Sequence, residues 1–399
     1  MASVRPLTDL TVADLWREVK DPATLWGDVS RQTLQTVKRL LENRMHDELA
    51  EHLKAHRYAR TAYRRGYRNG RYIRRLTTTW GTIPNLEIPR PRTGRFTPTV
   101  LDRYQRRMPQ VDELVRRVFL GGLSTRQVGP VLAQLLQDTV SPTTVSQITQ
   151  TLDRQVARFH RRPLPDHYHY LFLDAVSLRV KTPDGTRRRH ALVAYGITTQ
   201  GQRELIDYRL VRQEGSSAWE AFLVNLACRG LTGAALRLIT TDGHRGLHAA
   251  LALAYPHVPR QTCWVHVLRN VAQRLRVRDR DACLALARRI YQARSQHAAA
   301  RALQRWRQAW EPTAPKAVAC VLRDWEALLA FYTVPEPDWR RVRTTNAIER
   351  AFREIRRRTR PMTCFTNTTS CDRIMYAVIH ALNLRRAGRP LSWETTQNS

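Results

Sequence analysis

The sequence is poor in acid. Its 399 residues hold 34 Asp+Glu against 67 Lys+Arg, a formal charge of +33 at pH 7. Such a chain repels itself unless a polyanion matches it, which makes nucleic acid the expected partner. Cysteine is scarce too: the six residues at 228, 263, 283, 320, 364 and 371 form no CxxC pair and no regular framework. That excludes a disulfide scaffold and agrees with reduced thiols in a cytosolic chain. Nowhere do about 18 uncharged apolar residues run together, so no membrane-spanning helix is expected. Met1 to Glu18 lacks the basic-then-apolar order of a secretory signal. No internal repeat is present. What is present is 42% apolar residues, ample for a core, and a length that suggests two or three folding units. The basic excess is mostly Arg, spread along the chain. Arg suits bidentate phosphate contacts, although a GC-rich genome would also enrich it.

Residues 1–56 carry apolar positions at three- and four-residue spacing in LWREVK and LQTVKRLLENRMHDELAEHL, which predicts helices. HRYARTAYRRGYRNGRYIRR follows, with Arg interleaved among Tyr58, Tyr63, Tyr67 and Tyr72. Cations neutralise phosphates while tyrosines stack or hydrogen-bond, so this reads as a DNA-contacting arm, with Arg64, Arg65, Arg68 and Arg71 as candidate contacts. A solvated charged face is the alternative. TTTWGTIPNLEIPRPRTGRF alternates and is broken by prolines, predicting a small β-element and a linker. From Val111 to His160 the pattern is helical, interrupted at Gly121-Gly122 and again before Ser141-Pro142, which opens SPTTVSQITQTLDRQVARF. Two helices joined by a short turn resemble a helix-turn-helix, with Thr143, Thr144 and Gln147 on the face offered to the major groove. An ordinary helical hairpin would look the same.

At Tyr168 the texture changes. HYLFLDAVSLRV, RRRHALVAYGIT and RELIDYRLV read as three strands joined by hairpins, the first turn being PDG. SSAWEAFLVNLACRG is a helix, ALRLITTDG a short strand ending at Asp242, GHRGLHAALALAY a helix, and VPRQTCWVH returns to extended structure. That order is the order of a ribonuclease-H-like α/β domain. Val267 to about Tyr332 is helical throughout and reads as an insertion, with Trp306, Trp310 and Trp325 as expected core anchors. The linker VPEPDWRRVR precedes TTNAIERAFREIRRRTRPM, a helix begun by Thr344 or Thr345 that carries Glu349. SCDRIMYAVIHALNL is a final helix that packs back, and a disordered tail follows Arg389. The expected divisions are a helical and basic DNA-contacting region (1–110), a helix-turn-helix-like region (111–165), the first part of the core (166–266), the helical insertion (267–340), the last part of the core (341–388) and the tail (389–399).

Phosphodiester cleavage by two metals needs acidic oxygens converging on cations about 3.5–4 Å apart. Mg²⁺ takes hard oxygen ligands and keeps several waters, so a few carboxylates suffice. Asp174 lies mid-strand among core residues and Asp242 just past a strand expected to neighbour it, so the two can meet at one sheet edge. A third acid from a later helix would close the site. Each acid has a plainer reading. Asp184 in PDG is a turn residue, Asp207 could equally be an exposed strand position, and Glu349 competes with Glu354. Position alone does not choose between them.

The strings LFLDAVSLRV, ALVAYGITTQGQRELIDYRL, WEAFLVNLACRGL, TTDGHRGLHAAL, QTCWVHVLRN and TTNAIERAFREIRRRTRPM resemble, in this order, the Mutator-type DDE transposases of bacterial insertion sequences. The likeness runs from about Gly66 to Arg386. It implies a ribonuclease-H-like core with an all-α insertion behind a mainly α N-terminal DNA-binding region. It places the catalytic, metal-holding acids on Asp174, Asp242 and Glu349, preferring Glu349 to Glu354. The family's Cys/Asp-x-x-His element falls on Cys263 and His266, near the site but without an assigned role. One such pair is a poor zinc site, since structural zinc needs four ligands, so none is expected. Many relatives carry Asn shortly after the Glu, where this chain has Ala351-Phe352. Arg353, Arg356, Arg357, Arg358 and Arg360 follow Glu349 and are placed to grip phosphates beside the cleavage point.

The implied reaction is Mg²⁺-dependent cleavage at the element's ends and transfer of the 3′-hydroxyl into new DNA, with Mn²⁺ able to substitute. The implied partners are terminal inverted repeats, target DNA and a second copy of the chain or a larger assembly, with no membrane, in the bacterial cytoplasm at the nucleoid. A nuclease or resolvase without strand transfer, and a transposase-derived DNA-binding regulator, are the alternatives.

Overall fold

The computed structural model describes residues 22–121, 123–359 and 364–387. The chain divides into two compact units, Met1–Gln150 and Thr151–Ser399. The readings of the first 21 residues and of the tail after Arg389 lie outside the described residues.

In the first unit, α1 (Pro22–Leu53) packs on an antiparallel hairpin of β1 (Arg68–Thr78) and β2 (Gly81–Pro91). Leu34, Val37, Leu41 and Met45 recur on one side of α1 and meet Leu76, Ile83, Leu86 and Ile88 of the hairpin. The basic arm thus divides. Its first half is irregular, while Arg68 onward is strand, with Arg71, Ile73 and Arg75 exposed and Leu76 buried. Alternation with period two carries that outcome. Three helices follow, α2 (Pro109–Leu120), α3 (Thr125–Leu136) and α4 (Pro142–Gln150), each touching the other two. Gly129 of α3 lies so close to the turn before α4 that a Cβ would sit 2.3 Å from the carbonyl oxygen of Val140. Only glycine admits that approach. Thr143, Gln147 and Gln150 form the exposed side of α4, while Thr144 is turned to its cap, its N–H donating to Ser141 Oγ at 3.2 Å.

The single helix expected from Ser141 to Phe159 is two. It breaks at Thr151, where the units meet, and α5 (Leu152–Arg161) begins the second unit. Just before the break Thr149 Oγ1 donates back to the Ser146 carbonyl at 2.9 Å, a bond that bends helices.

The second unit is built on a mixed five-stranded sheet of β3 (Tyr168–Thr182), β4 (Gly185–Thr198), β5 (Arg203–Val211), β6 (Leu238–Thr241) and β7 (Arg260–Thr262). Its order is β5-β4-β3-β6-β7, with β3, β6 and β7 parallel and β4 antiparallel to its neighbours. One face carries α6 (Ser216–Cys228) and α7 (Arg245–Ala254), burying Leu171, Leu173, Ile239, Trp219, Phe222 and Leu247. After β7 come α8 (Trp264–Gln273), α9 (Arg280–Tyr291), α10 (Gln296–Trp310), α11 (Pro315–Leu322) and α12 (Trp325–Leu329), with no strand among them. Trp306 is fully buried, but Trp310 and Trp325 are only partly so; Trp264 is the second full anchor here. The expected linker at VPEPDWRRVR is largely a helix, α13 (Glu336–Val342). Its prolines stand at the first turn, where a missing N–H costs nothing, and Glu336 and Asp338 favour the positive end of the helix dipole. Then α14 (Asn346–Thr359) and α15 (Thr368–Arg386) pack against each other and β3. No described helix is long and apolar enough to cross a membrane.

Candidate active site

The parallel strands set the site. Leu173 pairs with Thr241, and Thr241 with Thr262. The next residues on the three chains are Asp174, Asp242 and Cys263, so they stand side by side. Side chains alternate along a strand. Leu171, Leu173 and Ile239 point to the α6–α7 side, so Asp174, like Thr240, points to the other. There Thr240 Oγ1 donates to the Val342 carbonyl at 2.6 Å, and α14 packs on β3. Gly243, at φ +89, turns the chain out of β6, and Asp242 Oδ1 accepts the N–H of His244 at 3.0 Å. Positive φ is the conformation glycine adopts freely.

Cys263 ties in the last element. Its Sγ accepts the Thr345 N–H at 3.2 Å and the Thr345 hydroxyl at 3.3 Å. Thr345 Oγ1 lies 3.4 Å from His266 Nδ1, and the Thr345 carbonyl accepts the Glu349 N–H at 3.0 Å. The first turn of α14 is therefore pinned to the end of β7. Glu349 Oε1 lies 3.8 Å from both His266 Nε2 and Arg269 Nη2. Burial pushes the Cys263 thiol up and keeps it neutral, whereas burial, helped by Arg269, pulls His266 down against the charges of Asp242 and Glu349.

Asp174 is buried, and burial together with the negative charge of Asp242 pushes its carboxyl up to about 8. The Ala175 N–H, 2.7 Å from Oδ1, opposes this, while Glu349 and Glu214 add to it. Glu214 was not among the acids singled out by sequence. It precedes α6 in QEGSS, where an acid reads as a helix-cap neighbour, and it accepts the Trp219 indole N–H at 3.1 Å. Glu354 is turned away and accepts from Arg357 at 3.1 Å. Asp207 is not an exposed strand position: it is buried and ion-paired with Arg229. Among the described residues no three His, Cys, Asp or Glu side chains are gathered as a ready metal cage. The donor chemistry would suit a hard divalent cation, since acidic oxygens are hard ligands and the buried Asp174 carboxyl feels the negative charges of Asp242 and Glu349.

A pH signature follows. An acid whose pKa rises on folding binds a proton that the unfolded chain has lost, so stability falls as pH climbs from about 4 to about 8. In chelator-treated protein the urea midpoint is expected to drop across that interval, and Asp174→Asn to flatten the drop. Identical slopes in the two proteins would show that Asp174 carries no such strain.

The candidate DNA contacts are differently placed. Arg353, Arg356 and Arg357 are exposed on α14; the side chain of Arg358, and Arg360 altogether, lie outside the described residues. In the first unit Arg65 is exposed, Arg64 stacks over Tyr67 at 5.1 Å, Arg68 lies 3.3 Å from His46 Nδ1, and Arg71 is paired with Glu87.

A buried acid within β3 and a second just past the end of the parallel β6, in a strongly basic chain, describe an α/β protein built to act on a polyanion. Residues 12–385 match the family of transposases described as "Transposase, Mutator family". The transposase for insertion sequence element IS905 of Lactococcus lactis subsp. lactis (strain IL1403) is 32% identical over 88% of this chain and 89% of its own. That for ISRM5 of Rhizobium meliloti (strain 1021) is 33% identical over 90% and 89%. That for IS256 in transposon Tn4001 of Staphylococcus aureus is 33% identical over 89% and 90%. The chain belongs to the Mutator family of transposases. Its function is that of a transposase, which acts on DNA. A simian T-cell lymphotropic virus intasome, solved with PP2A regulatory subunit B56 gamma, aligns with 53% of this chain and 64% of its own. At 12% identity and a TM-score of 0.17, that likeness is too slight to define the fold.

Proposed function

We propose that the chain is a DDE transposase whose catalytic acids are Asp174, Asp242 and Glu349, set in a ribonuclease-H-like core (166–266 and 341–388) that carries a helical insertion (267–340). The observation that supports this most is the strand register, which aligns Asp174 with Asp242 and with the Cys263 anchor of the Glu349 helix. The three carboxylates would hold Mg²⁺ or Mn²⁺, which when bound supplies positive charge to the phosphoryl group and an activated oxygen nucleophile. Asp174, held up to about 8 by burial and by Asp242, would bind such a cation in its deprotonated form. Cys263 and Thr345 hold the α14 turn, and His266 faces Glu349. Arg353, Arg356 and Arg357 grip the phosphates on either side of the reacting bond.

The reaction has two stages. Water attacks the phosphodiester at the element's end, and the freed 3′-hydroxyl then attacks a second DNA site. No covalent protein–DNA intermediate is required. In the first unit α3 and α4, joined by a tight turn, act as a helix-turn-helix that lays Thr143 and Gln147 on the terminal repeat. Arg64, Arg65, Arg68 and Arg71 add phosphate contacts. Two ends held together require a dimer or larger assembly, working at the nucleoid of the bacterial cytoplasm.

The test is strand transfer with a pre-cut element end in Mg²⁺. Joined product is expected. Cleavage of intact ends without joining would mark a nuclease or resolvase, and binding with neither activity a regulator.

A further inference from the structure

The hairpin of β3 and β4 outruns its sheet. Pairing of β3 with β6 stops at Leu173, and pairing of β4 with β5 stops at His190, yet β3 and β4 stay paired to Thr182 and Gly185. The segment from Leu178 to Arg189 is thus a two-stranded ribbon beyond the last neighbouring strand. It carries Arg179, Lys181, Arg187, Arg188 and Arg189, with Asp184 its one acid. Arg179 stands directly opposite Arg188. Like charges so placed destabilise a ribbon. Arg179, Lys181, Arg187, Arg188 and nearby Arg212 are exposed, and their side chains form no ion pair or hydrogen bond among the described residues.

The ribbon is nevertheless held in place. Val180 is fully buried and bridged to Phe365, whose N–H donates to the Arg179 carbonyl at 2.9 Å and whose carbonyl accepts the Lys181 N–H at 2.8 Å. With the Val180 side covered, Arg179, Lys181 and Arg188 face the opposite way together. At the ribbon's flank the lining of a cleft of about 660 Å³ includes Lys181, Arg187, Arg188, Arg189 and Arg212 together with the acid Asp184. The tip, residues 182–185, carries no large apolar side chain, as a membrane anchor would need.

We propose that this ribbon is a DNA-binding arm that grips the phosphate backbone of the element-end duplex. A two-stranded ribbon fits a DNA groove, and its opposed cations, which weaken the free protein, are neutralised by phosphates. Asp174 and Val180 lie six residues apart on β3 and so share a face, which puts the ribbon's cations on the opposite face of the sheet from the one Asp174 points to.

The full-length protein carrying Arg179→Gln, Lys181→Gln and Arg188→Gln is compared with the unaltered chain on a duplex bearing the element's own terminal repeat. The slope of log affinity against log salt is expected to shrink by about two to three units, with affinity at moderate salt falling about tenfold or more. Hydroxyl-radical protection over one short stretch of the duplex should vanish while protection elsewhere stays. The thermal midpoint should hold or rise, since repulsion is relieved. Arg179→Lys with Arg188→Lys keeps the charge and should keep the slope.

An unchanged slope, a footprint lost evenly along the duplex, or a defect confined to target capture overturns the proposal. A folding loss in the Gln variant with a normal footprint in the Lys variant would also overturn it, because the cations would then be structural. Should the slope shrink while Asp242→Asn still cuts DNA, the arm stands and the reading of the acids falls.

Discussion

Asp242→Asn is expected to cut cleavage of element ends by on the order of a thousandfold or more while leaving DNA binding intact. The amide oxygen can still accept the His244 N–H, 3.0 Å from Oδ1, so the turn at Gly243 keeps its shape. What is lost is one negative charge facing Asp174. That charge is the largest influence after burial holding Asp174 up near 8, so in the variant the Asp174 carboxyl should titrate lower. Carbonyl-carbon NMR titration of the metal-free protein would read that shift independently of activity. Unchanged cleavage would sink the catalytic assignment. Loss of binding together with cleavage would mean that the substitution had disturbed the fold.

The second large effect concerns stability. Arg229→Met should destabilise the second unit by about 3–5 kcal/mol, because it takes the guanidinium away from a buried carboxylate. The Asp207 side chain is 2% exposed and that of Arg229 9%. Beyond its ion pair, Arg229 donates to the carbonyls of Arg162 at 2.9 Å and Phe159 at 3.3 Å, fastening the end of α5 to the sheet edge. Asp207 Oδ1 also accepts the Tyr208 N–H at 2.7 Å and lies 2.8 Å from His160 Nδ1. Burial alone would lower His160, but Asp207 and Asp372 carry it up to about 9, so it stays protonated at neutral pH. Urea unfolding at pH 7 measures the loss. Pairing Arg229→Met with Asp207→Asn should recover much of it, since no unpaired charge then remains. A single-variant loss under about 1 kcal/mol would show the pair to be dispensable.

Much of the second unit could be read locally. The β3, β4, β5, α6, β6, α7 order follows from alternation, turn residues and helix spacing, each a short-range signal. The weak points were equally local. VPEPDWRRVR reads as a linker because proline usually interrupts, yet at a first helical turn it does not. Arg68–Thr78 reads as a charged arm because arginine masks its alternation. The ion-paired burial of Asp207 could not be seen, because Arg229 reaches it from the end of a helix 22 residues away.

The acid-poor, arginine-rich composition with which the chain is first met points to a polyanionic partner, and the order of elements makes Asp174 and Asp242 neighbours. Those conclusions need only composition and period-two or period-3.6 patterning, which the sequence carries residue by residue. The choice between Glu349 and Glu354 is different. Five residues along a helix turn the side chain by about 140°, so only one of them can face a given strand. Tertiary structure turns Glu349 toward His266 and Arg269, through the Thr345–Cys263 bonds that fix the rotation of α14, while the preference for Glu349 as the catalytic acid comes from the family resemblance. It also decides what the arginines of β3 and β4 do. Their opposition across a ribbon, and the ending of β5 and β6 before it, depend on strand register, which no single segment encodes.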